Sequence, residues 1–130
     1  MTAPLAGKTI LMSGGSRGIG LAIALRAAAD GANVALLAKT DTPDPRLPGT
    51  IHTAAEQIRA AGGNALAIVG DVRNDDDITE AVMKTQGEFG GIDIVVSNAS
   101  VLSLAGSLDL DAKRYDLMQD VNVRGTFMLS

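Results

Sequence analysis

Four of the seven residues from Gly14 to Gly20 are glycine, in the stretch LMSGGSRGIGLAIAL from Leu11 to Leu25. An apolar run precedes them and an apolar helix-forming series follows at once. Leu5 to Met12, rising out of Pro4, predicts a buried strand bounded by turn formers. Ile19 to Ala29 predicts a helix. Glycines packed into a strand-to-helix turn mean that backbone comes close to something there, with no side chain in the way. The helix N-terminus adds unpaired N–H groups and partial positive charge, an anion site whose usual guest is phosphate.

The hydrophobic period then alternates along the whole chain. Asn33 to Ala38 (NVALLA) predicts a second strand, entered through Asp30 and Gly31, a helix-ending pair. Thr40 to Thr50 carries three prolines that forbid regular structure. Ile51 to Ala61 returns to helical spacing through Ile51, Ala54, Ala55 and Ile58, and Gly62 and Gly63 stop it. ALAIVG predicts a third strand and IDIVVSN a fourth. Between them Asn74 caps a helix that runs to about Gln86, with Asp75, Asp76 and Asp77 placed where negative charge suits the dipole. A last helix starts at about Asp111. This order predicts a doubly wound α/β fold with a parallel sheet ordered 3-2-1-4, and one domain over residues 1–130.

Composition agrees and excludes several functions. Apolar residues make up 46% and charged ones 20%, which suits a domain with a core of its own. Aromatics are nearly absent, so the core is built from Ala, Val, Ile and Leu, as in parallel strands covered by helices. A net charge of −4 with scattered Lys and Arg argues against nucleic acid. With no Cys there is neither disulfide nor thiolate metal site, and one histidine, His52, makes no histidine metal cluster. No segment reads as a membrane span or secretory signal, and the expected location is cytoplasmic.

Two phosphate-binding designs compete for the glycine turn. Gly15 to Gly20 has the spacing of a P-loop, but Leu21 and Ala22 stand where that loop needs Lys and Ser or Thr. Without the lysine the β- and γ-phosphates lose their counter-charge, which rules out ATP or GTP hydrolysis. The dinucleotide design fits better, with the spacing Gly14-x-x-x-Gly18-x-Gly20 in place of G-x-G-x-x-G.

Four motifs in order carry a family resemblance. SGGSRGIG resembles the Thr-Gly-x-x-x-Gly-x-Gly signature of the short-chain dehydrogenase/reductase family, with Ser13 in the threonine place. GDV at Gly70 to Val72 resembles that family's strand-end Asp, which meets adenine. SNAS at Ser97 to Ser100 resembles its Asn-Asn-Ala-Gly, with Asn98 and Ala99 kept and serines in the outer positions. VNVRG at Val121 to Gly125 resembles the segment carrying its active-site Asn. KTDTPDPRLPGTIHTAAEQI resembles the hydroxysteroid-dehydrogenase-like branch. The resemblance covers essentially the whole chain but only the first half of a family member, truncated after the fourth strand and its following helix. It implies a Rossmann-like fold and a nicotinamide dinucleotide held by Gly14, Gly15, Ser16, Arg17, Gly18, Ile19, Gly20, Asp71, Val72, Asn98 and Ala99. It also implies that Asn122, at a helix kink, anchors a water in a proton relay. Residue by residue, the alternatives are a turn or helix-leading carboxylate for Asp71, a turn-stabilising amide for Asn98 and a core amide for Asn122; the three aspartates could suggest a cation site, but a solvated helix start is the preferred reading.

Cofactor choice follows from charge. A ribose-binding acid belongs about 20 residues past the glycine turn, and Ala38 stands there. Lys39 follows, and with Arg17 it supplies two cations for a 2′-phosphate. NADP is therefore expected, with NAD as the alternative. Family members transfer hydride using a Ser and a Tyr with Lys four residues on. Here the one tyrosine is Tyr115, Gln119 stands four residues on, and its side chain is expected on the packing side of its helix. Two functions follow: the cofactor-binding part of an oxidoreductase for alcohol and ketone groups, inactive alone, or a non-catalytic module that binds dinucleotide or docks on a partner. With the fourth strand at an open edge, self-association or pairing with a complete homologue is expected.

Overall fold

The computed structural model describes residues 4–15, 18–39, 50–99 and 110–130. Four parallel strands form one sheet in the order β3-β2-β1-β4. They are β1 (Thr9–Ser13), β2 (Asn33–Ala38), β3 (Asn64–Val69) and β4 (Ile94–Ser97). Helices α1 (Gly18–Ala29), α2 (Ile51–Ala60) and α3 (Asp75–Phe89) make the crossovers between them. After β4 come α4 (Ala112–Met118), a π-helical stretch (Gln119–Gly125) and α5 (Thr126–Leu129). The backbone stays right-handed helical at both junctions, so these three form one continuous helix.

Strand alternation divides the core between two faces. Ile10 and Met12 of β1 and Val34 and Leu36 of β2 pack with Ala24, Ala27 and Ala28 of α1 and with Ile51, Ala54 and Ile58 of α2. Leu11, Ala35, Leu37 and Ile68 point the other way, onto Ile78 and Ala81 of α3 and Val121 and Leu129 beyond β4. Strands buried on both faces need near-continuous apolar runs, and β1 and β2 have them. Edge strand β4 has such a run too, Ile94 to Val96, yet Ile94 and Val95 are 37% and 39% exposed. No helix among the described residues is long and apolar enough to cross a membrane.

The element boundaries confirm the capping logic and correct it in places. Asn74 accepts from the N–H groups of Asp76 and Asp77 at 2.9 and 3.2 Å, and Thr50 caps α2 through Thr53 N–H. β1 starts later than the expected Leu5. Pro4 to Gly7 form a turn, Gly7 takes a φ of 78°, and Leu5 N–H donates to the Asp30 carbonyl, so Leu5 docks on the end of α1 instead of joining the ladder. α3 runs three residues past Gln86, through Gly87, to a left-handed C-cap at Gly90. The proline-rich 40–49 segment lies outside the described residues.

Candidate functional site

The carboxyl ends of all four strands lie along one edge of the sheet. β1 pairs with β2 on one side and β4 on the other, so the chain reverses its winding between β1 and β4. In open α/β sheets this switch point opens a crevice beyond the strand ends. The glycine turn leaves β1 here, and Asn98 and Ala99 leave β4.

Much of the close approach that the glycines permit is to the protein itself. A Cβ on Gly20 would lie 2.6 Å from Asn98 Nδ2 and 2.8 Å from the Gly14 carbonyl oxygen. One on Gly14 would lie 3.0 Å from the Ala99 backbone. Gly15 is closed by Leu36 and Met12 beneath it. Gly14 and Gly18 both take a left-handed φ, 72° and 61°, but at Gly18 no described residue stands within 4 Å of the missing Cβ. Among the described residues, nothing therefore crowds the first residue of α1, beside exposed Ile19. Ser16 and Arg17 lie outside the described residues.

Polar contacts tie the two turns together. The N–H groups of Asn98 and Ala99 both donate to Ser13 Oγ at 3.1 Å, and Asn98 Nδ2 donates to the Gly14 carbonyl at 2.9 Å. Asn98 thus braces the turn of another strand as well as standing at its own. Ser13 is fully buried and, although it is no member of the expected site, its hydroxyl is the joint between the two motifs. Its place at the head of the glycine signature is the signal for it. One position earlier in the second motif, Ser97 Oγ donates to Thr126 Oγ1 at 3.0 Å, whose hydroxyl donates to the Asn122 carbonyl at 2.9 Å.

A second cluster sits where β3 ends. Asp71 lies between a backbone bond to Asp77 Oδ2 and a side-chain pair with Arg73. The hydrogen bonds from Arg73 hold the Asp71 carboxyl below the usual carboxylate range, and the Lys39 charge at the end of neighbouring β2 adds to this. The same pairing raises the Arg73 guanidinium. Lys39 and Asp71 are thus near neighbours across adjacent strand ends. Val72, buried, carries Gly125 against it: a Cβ on Gly125 would lie 2.9 Å from Val72 Cγ2. Arg124 pairs with Asp75 through bonds of 2.8 and 3.0 Å, which pin the π-helical stretch to the start of α3. The pairing lowers Asp75 and raises Arg124. The three aspartates form a solvated helix start, Asp75 and Asp76 exposed, in which Asp75 and Asp77 also each have a partner. Among the described residues no group of His, Cys, Asp and Glu is arranged to hold a metal ion.

Asn122 lies inside the π-helical stretch, so the helix departs from regular α geometry where the resemblance expects a kink. Its side chain faces outward while Val121 and Gly125 are buried, which overturns the core-amide alternative. Tyr115 also needs correcting. It is 52% exposed, not on a packing side. α4 buries none of its residues, and packing begins with Leu117 and Val121; a residue two positions from Leu117 points away from the core. A polar groove lined by Arg73, Asn74, Asp75, Asp76, Asp120 and Arg124 lies beside this helix, apart from the glycine turn.

A doubly wound α/β domain with its motifs gathered at the switch point is the class that fold and site define. Residues 8–130 match the family model described as short chain dehydrogenase, and the chain belongs to that family. It is 56% identical over 129 residues to hydroxysteroid dehydrogenase-like protein 2 of Homo sapiens, covering 99% of this chain and 31% of that protein. A short chain dehydrogenase structure from Mycobacterium thermoresistibile is 59% identical with a TM-score of 0.94, covering 95% of this chain and 44% of the other. The NADH-dependent reductase A1-R′, solved in complex with NAD, is 32% identical with a TM-score of 0.83, covering 99% of this chain and 52% of the other. The chain thus spans about a third of the curated relative and about half of the solved ones.

Proposed function

We propose that these residues form the nicotinamide-dinucleotide-binding part of an oxidoreductase acting on alcohol and ketone groups, with NADP preferred over NAD. The observation that carries the reading is the meeting of the glycine turn at the start of α1 with the Asn98 turn at the switch point, with the Asp71 turn two strands away along the same carboxyl edge of the sheet. That no described residue crowds the Cβ position of Gly18 supports placing a pyrophosphate against the helix N-terminus. Asp71 and Val72 would receive the adenine, and Asn98 and Ala99 would shape the middle of the crevice. Lys39 and Arg17 would meet the 2′-phosphate, because Ala38 offers no carboxylate to a 2′-hydroxyl. A bound dinucleotide supplies the hydride; the chain's own part is to hold and orient it. NAD bound to A1-R′ supports the cofactor class. The cytoplasm suits this reading, since a chain without cysteine forgoes no disulfide there.

The 130 residues contain no Tyr-x-x-x-Lys pair, and Tyr115 stands out in solvent on α4. Binding without turnover is therefore expected of these residues alone, since general acid catalysis contributes typically ~10² to 10⁴ in rate. Titration with NADPH and NADH tests the reading. A charge-assisted contact to the extra phosphate contributes about tenfold or more. NADPH should bind tighter, and Lys39→Ala and Arg17→Ala should each erode the difference; equal affinities in the parent contradict the NADP assignment.

A second reading, a partner-docking module, is favoured by the half-exposed apolar residues Ile94 and Val95 on edge strand β4. Such an edge pairs readily with another chain. Light scattering that reports a monomer at all concentrations would remove it.

A further inference from the structure

The carboxylate at the end of β3 is held before any ligand arrives. Arg73 Nε donates to both Asp71 oxygens at 3.1 Å, Nη2 donates to Oδ2 at 2.7 Å, and the Arg73 backbone N–H donates to Oδ1 at 2.9 Å. Asp77 Oδ2 accepts the Asp71 N–H at 2.9 Å, which fixes the main chain behind the carboxylate. Three N–H groups thus make four bonds to the two oxygens, with the Nε–H shared between them at 3.1 Å, so only three protons meet roughly four lone-pair directions and a further donor can displace half of the shared bond. The Asp71 side chain is still 23% exposed, so a ligand can reach it. An ion pair this close to the surface contributes little to folding, and stability alone gives a weak account of so many bonds on one carboxylate.

We propose that Arg73 is a positioning residue for the adenine end of the site: it locks the Asp71 carboxylate toward an exocyclic amino group and so sets a preference for a 6-amino over a 6-oxo purine. The proposal rests on the dinucleotide reading above. An amino group at the 6-position donates to the waiting carboxylate, whereas a carbonyl there sets lone pair against lone pair. A freely turning carboxylate escapes that clash by rotating to accept the N1–H that a 6-oxo purine carries. The planar guanidinium forbids the rotation, because turning breaks the paired bonds. Asp71 stays ionised through the same bonds, which hold its carboxyl below the usual range. Lysine in place of Arg73 keeps the charge without the fork.

The test is equilibrium titration of the chain with NADP+ and with its hypoxanthine analogue, read as the ratio of the two affinities. The ratio cancels any uniform loss of binding-competent protein. The parent is expected to prefer the adenine form by about tenfold, the size of one charge-assisted hydrogen bond at a partly exposed site. In Arg73→Ala the preference should shrink to within about twofold, with Arg73→Lys between the two. An Arg73→Ala ratio equal to the parent's, or an Arg73→Lys ratio no better than alanine's, overturns the positioning role while leaving the dinucleotide reading intact. A parent that binds neither ligand overturns both.

Discussion

Two regions along the carboxyl edge of the sheet are built by different forces. At the switch point, the glycine turn and the Asn98 turn are joined by contacts that leave no room for a methyl group, and by a buried hydroxyl that accepts two N–H groups. At the end of β3, the Arg73–Asp71 ion pair braces the turn itself, and the exposed Arg124–Asp75 pair, with Gly125 packed on Val72, ties the π-helical stretch to it and to α3. The first region is shaped by exclusion, where one added carbon is a steric fault. The second is shaped by charge, where salt and pH act and a lost partner is replaced by solvent. In the proposed binding mode, backbone that presents N–H groups to an anion needs the rigid construction, while an edge that meets a base tolerates the softer one.

Substitutions that separate the two regimes sharpen the contrast. Gly20→Ala should have the largest effect, destabilising by about 3 kcal/mol, because its new carbon meets Asn98 Nδ2 and the Gly14 carbonyl, atoms that are themselves bonded to each other. Urea denaturation measures this, and a midpoint equal to the parent's would mean that the turns are looser than their contacts imply. Ser13→Ala should follow at about 2 kcal/mol, since it strips the acceptor from two backbone N–H groups. Ser13→Thr should recover most of that, because it keeps the hydroxyl. Gly18→Ala meets no described residue and suffers only the left-handed backbone, about 1 kcal/mol. Its stability loss should therefore be smaller than that of Gly20→Ala.

The ion-paired region should respond to conditions more than to truncation. The native carboxyl of Asp71 lies below its ordinary value, chiefly through the Arg73 hydrogen bonds. A depressed folded-state pKa contributes stability that is fully present above the unfolded pKa, about 4, and is lost as pH falls through the folded value. Asp71→Asn should accordingly flatten part of the acid limb of a stability curve below about pH 4. An unchanged limb would mean that Arg73 does not hold the carboxylate in solution. Arg124→Ala should shift the denaturation midpoint least of all, and less still in high salt, because its partner Asp75 is exposed.

What the sequence reveals of this architecture divides by the range of the interaction. β2 is legible to the residue, since a run buried on both faces between Gly31 and Lys39 has no other place to go. The Asn74 cap is legible because its bonds reach only two and three residues ahead. The end of α3 is ambiguous because Gly87 and Gly90 both resemble stops, and a helix tolerates an interior glycine at a cost of about 1 kcal/mol. The start of β1 is not legible, because the Asp30 carbonyl draws Leu5 away from the ladder. The joints that matter most at the site span the chain: Ser13 to Asn98 across 85 residues, Asp75 to Arg124 across 49, Ser97 to Thr126 across 29. No local pattern encodes them. The motifs therefore mark Gly14, Asp71, Asn98 and Asn122 as members of the proposed site, but give no sign that Arg73 holds the Asp71 carboxylate or that Thr126 donates to the Asn122 carbonyl.

The central claim, that the carboxyl edge of the sheet, with the glycine turn at the switch point and the Asp71 turn at the end of β3, receives a nicotinamide dinucleotide, is tested most directly by backbone amide NMR of the labelled chain during addition of NADP+. The account predicts saturable shifts concentrated on Gly14 to Gly20, Asp71, Val72, Asn98 and Ala99, with α2 unmoved. Shifts that spare the glycine turn and gather at the Asp120 and Arg124 groove, or no saturable shift in a folded chain, would contradict it.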